Sequence, residues 1–295
     1  NTSEERKHYL IDDDAPLFNR AISGEYPPGS VFKLITALAG LSTKKINPGT
    51  QFFCPGEKLI GRRSFKCWSE HATVNLKEAI VHSCNVYFYT AGILTTAESM
   101  HDYAKIFNLG KRTGIDLPQE SAGFLPSPRW QVDVNQKKWY QGDTANMAIG
   151  QGGLLFTPLQ VVRMVSAIAN SGYLVRPHLI RKVAEKKVIY KRPSKINVNP
   201  KYLLFLREAM RQVVEDEAGT AHNINFSQFP IAAKTGTAQI PGNRKHGWIA
   251  GFGPFNAPQI AFVIFIEDSQ GGIAASEFAR EFFKRLSSEK LLSFE

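Results

Sequence analysis

Ile231-Ala-Ala-Lys-Thr-Gly-Thr-Ala-Gln-Ile240, Trp248-Ile-Ala-Gly-Phe-Gly-Pro-Phe255 and Gln259-Ile-Ala-Phe-Val-Ile-Phe-Ile-Glu267 follow one another near the end of the chain. Each run is short and rich in apolar, β-branched or aromatic residues, with turn signals at Pro241-Gly242 and Asn256-Ala-Pro258. Such runs read as three short strands joined by turns. An amphipathic stretch over about 275–287 follows them and reads as a closing helix. Upstream, helical patterns dominate. Val31, Leu34, Ile35, Leu38 and Leu41 fall on one stripe, which predicts a helix from Ser30 to about 42 with one buried face. Further helices are expected from Leu76 to about Gly92, near Ala97 to Leu109, over Pro158–Ala169 before Asn170-Ser-Gly172, and over 201–217. Segments 43–73 and 110–158 are rich in Gly and Pro and read as irregular. Residues 173–190 look strand-like, with a linker around Pro193–Pro200. Helices, then successive strands, then a helix define an α+β class: an antiparallel β-sheet packed between helices plus a mostly helical lobe. The lobe is expected over about 30–172, and the sheet with its C-terminal helix over about 220–290.

The chain has 295 residues, 43% of them hydrophobic and 20 of them Phe, enough for a sizeable core and too apolar for disorder. The longest apolar run, Ile260 to Ile266, is far short of the ~20 residues of a membrane span. The formal charge is +10. The cations read as dispersed, with short clusters at Lys44-Lys45, Arg62-Arg63 and Lys186-Lys187. No long basic run is interleaved with aromatics, so no nucleic-acid partner is expected.

Chemistry enters at Tyr26-Pro-Pro-Gly29, a loop that delivers the chain into the first helix at Ser30. Serine is a weak nucleophile and needs a neighbouring base. Lys33, three residues on, shares a helix face with Ser30, and helix N-terminal amides can hold a developing oxyanion. This pair alone is a weak signal. Two further elements strengthen it: Ser83-Cys84-Asn85 in the second helical region, and Lys234-Thr-Gly-Thr237 in the first strand. The order and spacing match the S-x-x-K, S-x-N and K-T-G elements of serine acyl-transferases. Ser83 offers a hydroxyl for proton relay, and Asn85 both a donor and an acceptor. Lys234 with the hydroxyls of Thr235 and Thr237 suits a substrate carboxylate. The missing side chain of Gly236 would let the substrate lie close to the strand. His246 reads as structural, because a lysine fills the base position, and His222 is open to either reading.

At these residues, and over nearly all of its length, the chain resembles the class B penicillin-binding proteins. Ala15-Pro-Leu-Phe-Asn-Arg-Ala21, Ser83-Cys-Asn-Val-Tyr-Phe-Tyr89, Trp139-Tyr-Gln-Gly-Asp-Thr144, Ile149-Gly-Gln-Gly152, Thr157-Pro-Leu-Gln160 and Gly219-Thr-Ala-His222 extend the likeness. Cys84 and the Trp139 block are most similar to the cell-elongation branch. The resemblance implies a D,D-transpeptidase that cross-links peptidoglycan stem peptides. Ser30 would attack, Lys33 would take its proton, Ser83 would protonate the leaving D-Ala and Asn85 would position the peptide. Lys234, Thr235 and Thr237 would hold the terminal carboxylate, with backbone amides of Ser30 and Thr237 as oxyanion donors. β-Lactams would trap Ser30, and a polymerising membrane glycosyltransferase would be a partner. A periplasmic position, anchored to the inner membrane, is implied. The family carries an anchor and a pedestal upstream, yet 29 residues precede Ser30. The sequence is therefore expected to be a piece of a longer protein, which leaves open a missing strand in the sheet. A D,D-carboxypeptidase or β-lactamase-type hydrolase and a β-lactam sensor share these motifs, though no Glu-x-x-Leu-Asn segment supports a hydrolase.

Cys54, Cys67, His71 and Cys84 supply the number and type of ligands of a closed tetrahedral zinc site. Their spacing is neither finger nor ribbon. A Cys54–Cys67 disulfide with Cys84 buried, or three reduced thiols, are the other readings. Relatives on the elongation branch in some bacteria place metal ligands at similar positions, and the resemblance implies a structural zinc that pins a loop to the helix bearing Ser83 and Asn85.

Overall fold

In the computed structural model, residues 15–227 and 229–288 are described. The part of the N-terminal loop reading that falls on residues 1–14 lies outside them. Ser30 does not open an α-helix directly. Gly29–Phe32 is a turn of 3-10 helix, and α1 (Lys33–Ser42) continues from it. Every residue of α1 from Lys33 to Leu41 is buried, so the single apolar stripe understates its surroundings. Thr36, Ala37, Ala39 and Gly40 are small enough to be packed on the remaining sides.

The segment 43–73, expected to be irregular, folds as two small ribbons. β1 (Phe52–Cys54) pairs with β4 (Ala72–Val74), and β2 (Glu57–Ile60) pairs with β3 (Arg63–Lys66), both antiparallel. These strands have three or four residues and mostly exposed side chains, so no apolar alternation announces them. The expected helix from Leu76 to Gly92 is two helices. α2 (Leu76–Val81) starts at an Asn75–Glu78 capping box and ends before Ser83, which sits at φ 52°. α3 (Asn85–Thr95) then starts afresh with Cys84 as N-cap, its Sγ accepting from Tyr87 N at 3.4 Å. A left-handed serine cannot continue a helix, and the periodicity of the apolar positions hides that break.

α4 (Ala97–Ile106) falls where expected. The Gly- and Pro-rich segment 110–158 holds two helices that the sequence reading passed over, α5 (Pro128–Asp133) and α6 (Gln141–Ala148). α7 (Pro158–Ala169) is entered through a Thr157–Gln160 capping box. The strand-like reading of 173–190 reduces to two-residue pairings: β5 (Tyr173–Leu174) with β8 (Ser194–Lys195), and β6 (Lys182–Val183) with β7 (Lys186–Lys187). α8 (Pro200–Glu215) leads to the main sheet.

β9 (Ala232–Ile240), β10 (Arg244–Gly253) and β11 (Ile260–Ile266) pair antiparallel in the spatial order β11-β10-β9. Side chains alternate across a sheet, so Gly251 and its partner Phe262 face one way while Trp248 and its partner Phe265 face the other. α9 (Gly272–Ser288) covers the Phe262 face, with Phe283 4.8 Å from the Phe262 ring. On the opposite face Trp248 packs on Phe265 at 4.4 Å, and Arg207 of α8 lies over the Phe252 ring at 5.6 Å. The sheet is thus packed between helices, the α+β architecture expected. No helix among the described residues is long and apolar enough to cross a membrane.

Candidate active site

The loop before Ser30 is tied down from three directions. Tyr26 exchanges backbone hydrogen bonds with Phe156, and its hydroxyl donates to Glu267 Oε1 at 2.7 Å. Arg20 Nε holds the other oxygen of that carboxylate at 2.5 Å, and Trp248 Nε1 donates to Pro27 O at 2.9 Å. Gly29 adopts φ +52° and donates its N–H to Gly150 O at 3.0 Å. A Cβ on Gly29 would lie 2.5 Å from Thr237 O, and one on Gly150 would lie 2.0 Å from Gly29 O. The turn carrying Ser30 is therefore wedged between Gly150 and the strand that carries Lys234. Gly236 belongs to the same packing. Its Cβ would meet Pro28 O and Val31 Cγ2 at 3.0 Å, so its missing side chain makes room for the protein's own chain and not, as expected from the sequence, for substrate.

Lys33 is fully buried. Its Nζ lies 2.7 Å from Ser83 O, 2.7 Å from Asn85 Oδ1 and 3.1 Å from Ser83 Oγ. Burial lowers its pKa to about 7, because the charged form loses its hydration. An uncharged amine has two N–H donors and one lone pair. The two acceptor-only oxygens, Ser83 O and Asn85 Oδ1, can take both donors and leave the lone pair for a hydroxyl. The break at Ser83 matters here: it turns both the carbonyl and the hydroxyl of one residue toward Lys33.

Lys234 is also fully buried and held well below its ordinary pKa, first by burial and then by repulsion from Lys33. Its Nζ donates to Thr235 O at 3.1 Å. Thr235 is hydrogen-bonded to Thr220 through the two hydroxyls at 2.7 Å, and Thr237 Oγ1 accepts from Gly272 N at 2.9 Å. β9 is the edge strand of its sheet among the described residues, so its outer backbone groups can pair with an extended ligand. Thr220 was not singled out from the sequence, although it stands in the Gly219-Thr-Ala-His222 block. His246 has a structural setting, with Asp268 N donating to its Nδ1 at 3.3 Å and its ring against Tyr26 and Phe265.

The two ribbons at 52–74 bring Cys54, Cys67, His71 and Cys84 together, with all four ligand atoms within 4.8 Å of one another. Cys54 Sγ and Cys67 Sγ lie 3.5 and 3.6 Å from His71 Nδ1. Zinc bonds of ~2.3 Å to sulfur and ~2.0–2.1 Å to nitrogen at a tetrahedral angle require an S···N separation of about 3.6 Å. The cysteines are all free. Cys67 is pushed toward thiolate, the ligating form, by a hydrogen bond with Cys84 and by the backbone amides of Val86, Ser69 and Asn85. Donor set and spacing fit a metal ion. The same loop reaches the Lys33 cluster: Asn85 N donates to Cys67 Sγ at 3.1 Å, and Asn85 Nδ2 to Lys66 O at 3.2 Å.

A serine on a rigid turn, a buried amine poised near neutrality and a second lysine on an edge strand are the parts that serine acyl transfer requires. Residues 1–287 match the family described as penicillin binding protein transpeptidase domain, and the chain belongs to that family. Peptidoglycan D,D-transpeptidase MrdA of Acinetobacter baumannii is 35% identical over 299 residues, covering 92% of this chain and 44% of that protein. The structure of Pseudomonas aeruginosa PBP2 in complex with WCK 5153 superposes with a TM-score of 0.88 at 31% identity, covering 97% of this chain and 66% of that one. PBP2 of Helicobacter pylori, solved in complex with MreC, gives a TM-score of 0.88 at 33% identity, covering 99% and 55%. The chain spans about half the length of the curated relatives it matches.

Proposed function

We propose that this chain is the catalytic part of a D,D-transpeptidase that cross-links peptidoglycan stem peptides during cell elongation and is acylated by β-lactams. The observation that carries the reading is the Lys33 cluster, a buried amine with a pKa of about 7 that gathers Ser83 and Asn85 one turn after Ser30. In the first half-reaction Ser30 Oγ attacks the carbonyl carbon of the penultimate D-Ala, and its proton passes to Lys33 Nζ. The tetrahedral intermediate collapses with cleavage of the C–N bond. The proton travels through the Ser83 hydroxyl to the departing D-Ala amine. In the second half-reaction a stem-peptide amine attacks the Ser30 ester, gives its proton to the same base, and Ser30 leaves reprotonated. Lys234, Thr235 and Thr237 are assigned to the terminal carboxylate. An anion arriving beside buried Lys234 favours its charged form, so the charge appears with the substrate.

Cys54, Cys67, His71 and Cys84 are assigned to one structural Zn²⁺, which would cross-link the loop when bound. Cys67 Sγ and Lys66 O then hold Asn85 at its backbone and its side-chain amide. The full-length protein is assigned to the outer face of the cytoplasmic membrane, anchored there and working with a polymerising glycosyltransferase. Family membership and the MreC complex of the Helicobacter pylori relative support that placement.

Fluorescent penicillin tests the reading. It should label the chain and leave Ser30→Ala unlabelled, with an adduct that persists for many minutes. No label on the unmutated chain sinks the acyl-transferase, and an adduct lost within seconds replaces the transpeptidase by a hydrolase.

A further inference from the structure

The stretch Arg176-Pro-His-Leu-Ile-Arg-Lys-Val-Ala-Glu-Lys-Lys-Val-Ile-Tyr-Lys-Arg-Pro-Ser-Lys195 has no part in the site described above. It carries eight Lys or Arg against one Glu, a net +7 within a chain of net +10. The cations themselves are dispersed, but most of the excess positive charge lies on this one ribbon, and the rest of the chain is close to neutral. All eight are exposed, and none forms an ion pair among the described residues.

The ribbon is a built element. The Asp116 carboxylate accepts from Leu179 N, Ile180 N and Tyr190 Oη, each at 2.8 Å. The Tyr190 ring stacks on His178 at 3.9 Å, and Arg176 Nε donates to Gly114 O at 2.6 Å. At the tip Lys182 stands directly opposite Lys187 and Val183 opposite Lys186. Like charges facing each other across a strand pair destabilise it, so folding stability gives no reason for this arrangement, whereas an anionic ligand would relieve it. Cross-strand partners share a face. Lys182 and Lys187 thus project from one side of the ribbon and Lys186 from the other. A flat bilayer meets one side only, whereas a flexible polyanion can engage both.

After Gly172 the chain turns back along α7, where Arg163 Nε donates to Val175 O at 2.8 Å, and the ribbon starts from there.

We propose that residues 176–195 are an exosite for an anionic wall polymer, namely peptidoglycan whose uncross-linked stem peptides carry free carboxylates. The choice of polymer rests on the transpeptidase reading; the charge and geometry of the ribbon do not. The test is co-sedimentation of the whole chain with purified sacculi at low and high salt, beside the triple variant K182E/K186E/K187E. Fluorescent penicillin labelling of the variant should equal that of the parent, which reports an intact fold and active site. The apparent Kd of the variant should be weaker by about tenfold or more, and salt should bring the parent down to the same level, since exposed charges are screened beyond about 10 Å at 0.1 M. Sacculi whose carboxylates have been amidated should bind the parent as weakly. Equal binding by parent and variant, or binding indifferent to salt, overturns the proposal. So does binding to phosphatidylglycerol vesicles with none to sacculi. Ribbon-dependent sedimentation by a chain that penicillin fails to label would remove the catalytic reading and keep the exosite.

Discussion

Lys33 has 0% of its surface exposed and three oxygen partners, so its proton is the variable on which the site turns. Its pKa is lowered from 10.5 to about 7. The neutral amine therefore accumulates as pH rises through about 7. The β-lactam acylation rate should climb nearly tenfold per unit below that pH and level off above it. A flat profile from pH 5 to 9 would remove Lys33 as the base. The stability sign is fixed as well: between about 7 and 10.5 the unfolded chain binds this proton and the folded one does not. Stability contributed through Lys33 thus rises across that window and is lowest below pH 7. Lys33→Met should slow acylation about 10²–10⁴-fold. Gly29→Ala is the sharpest backbone test, since φ +52° and a Cβ 2.5 Å from Thr237 O must both be relieved. It should displace the Ser30 turn, lowering Tm and acylation together; an unchanged labelling rate would show that the turn tolerates movement. The types and order of Ser30, Lys33, Ser83, Asn85 and Lys234 were legible in the sequence because the motifs name them. The packing reason for Gly236 and the Thr220–Thr235 bond were not, since both depend on residues brought together from distant parts of the chain.

At the scale of elements, the interruption between α2 and α3 and the loop of β1–β4 form one device. Ser83 at φ 52° breaks the helix, Cys84 caps the next one, and Cys67 accepts the amide of Asn85. Removing the proposed metal should loosen the loop and free Asn85. Elemental analysis of chain purified without added metal should find about one zinc per chain. A strong chelator should lower Tm and slow penicillin labelling without abolishing it. A metal-free preparation with full thermal stability would end the zinc assignment. Asn75→Ala, which removes only the α2 cap, should cost about 1 kcal/mol in chemical denaturation and serves as the comparison for a purely local loss. The grouping of three cysteines and a histidine could be read from the sequence, whereas the ribbons and the helix break could not. Strands of three residues and a helix interrupted by one serine leave the apolar periodicity almost untouched.

At the scale of the molecule, three strands were visible as apolar runs because they form the middle layer of the fold, with apolar neighbours on both faces. Trp248 ties that layer to the site: its ring packs on Phe265 and its indole N–H holds Pro27 O. Trp248→Ala should destabilise the fold by about 3–5 kcal/mol by leaving a cavity, and it should slow acylation even where the protein remains folded. The most direct measurement of the whole account is peptide mapping by mass spectrometry after exposure to a β-lactam. A single acyl adduct should appear on the peptide containing Ser30 and be absent from Ser30→Ala. An adduct on another residue, or none on the folded chain, would contradict it.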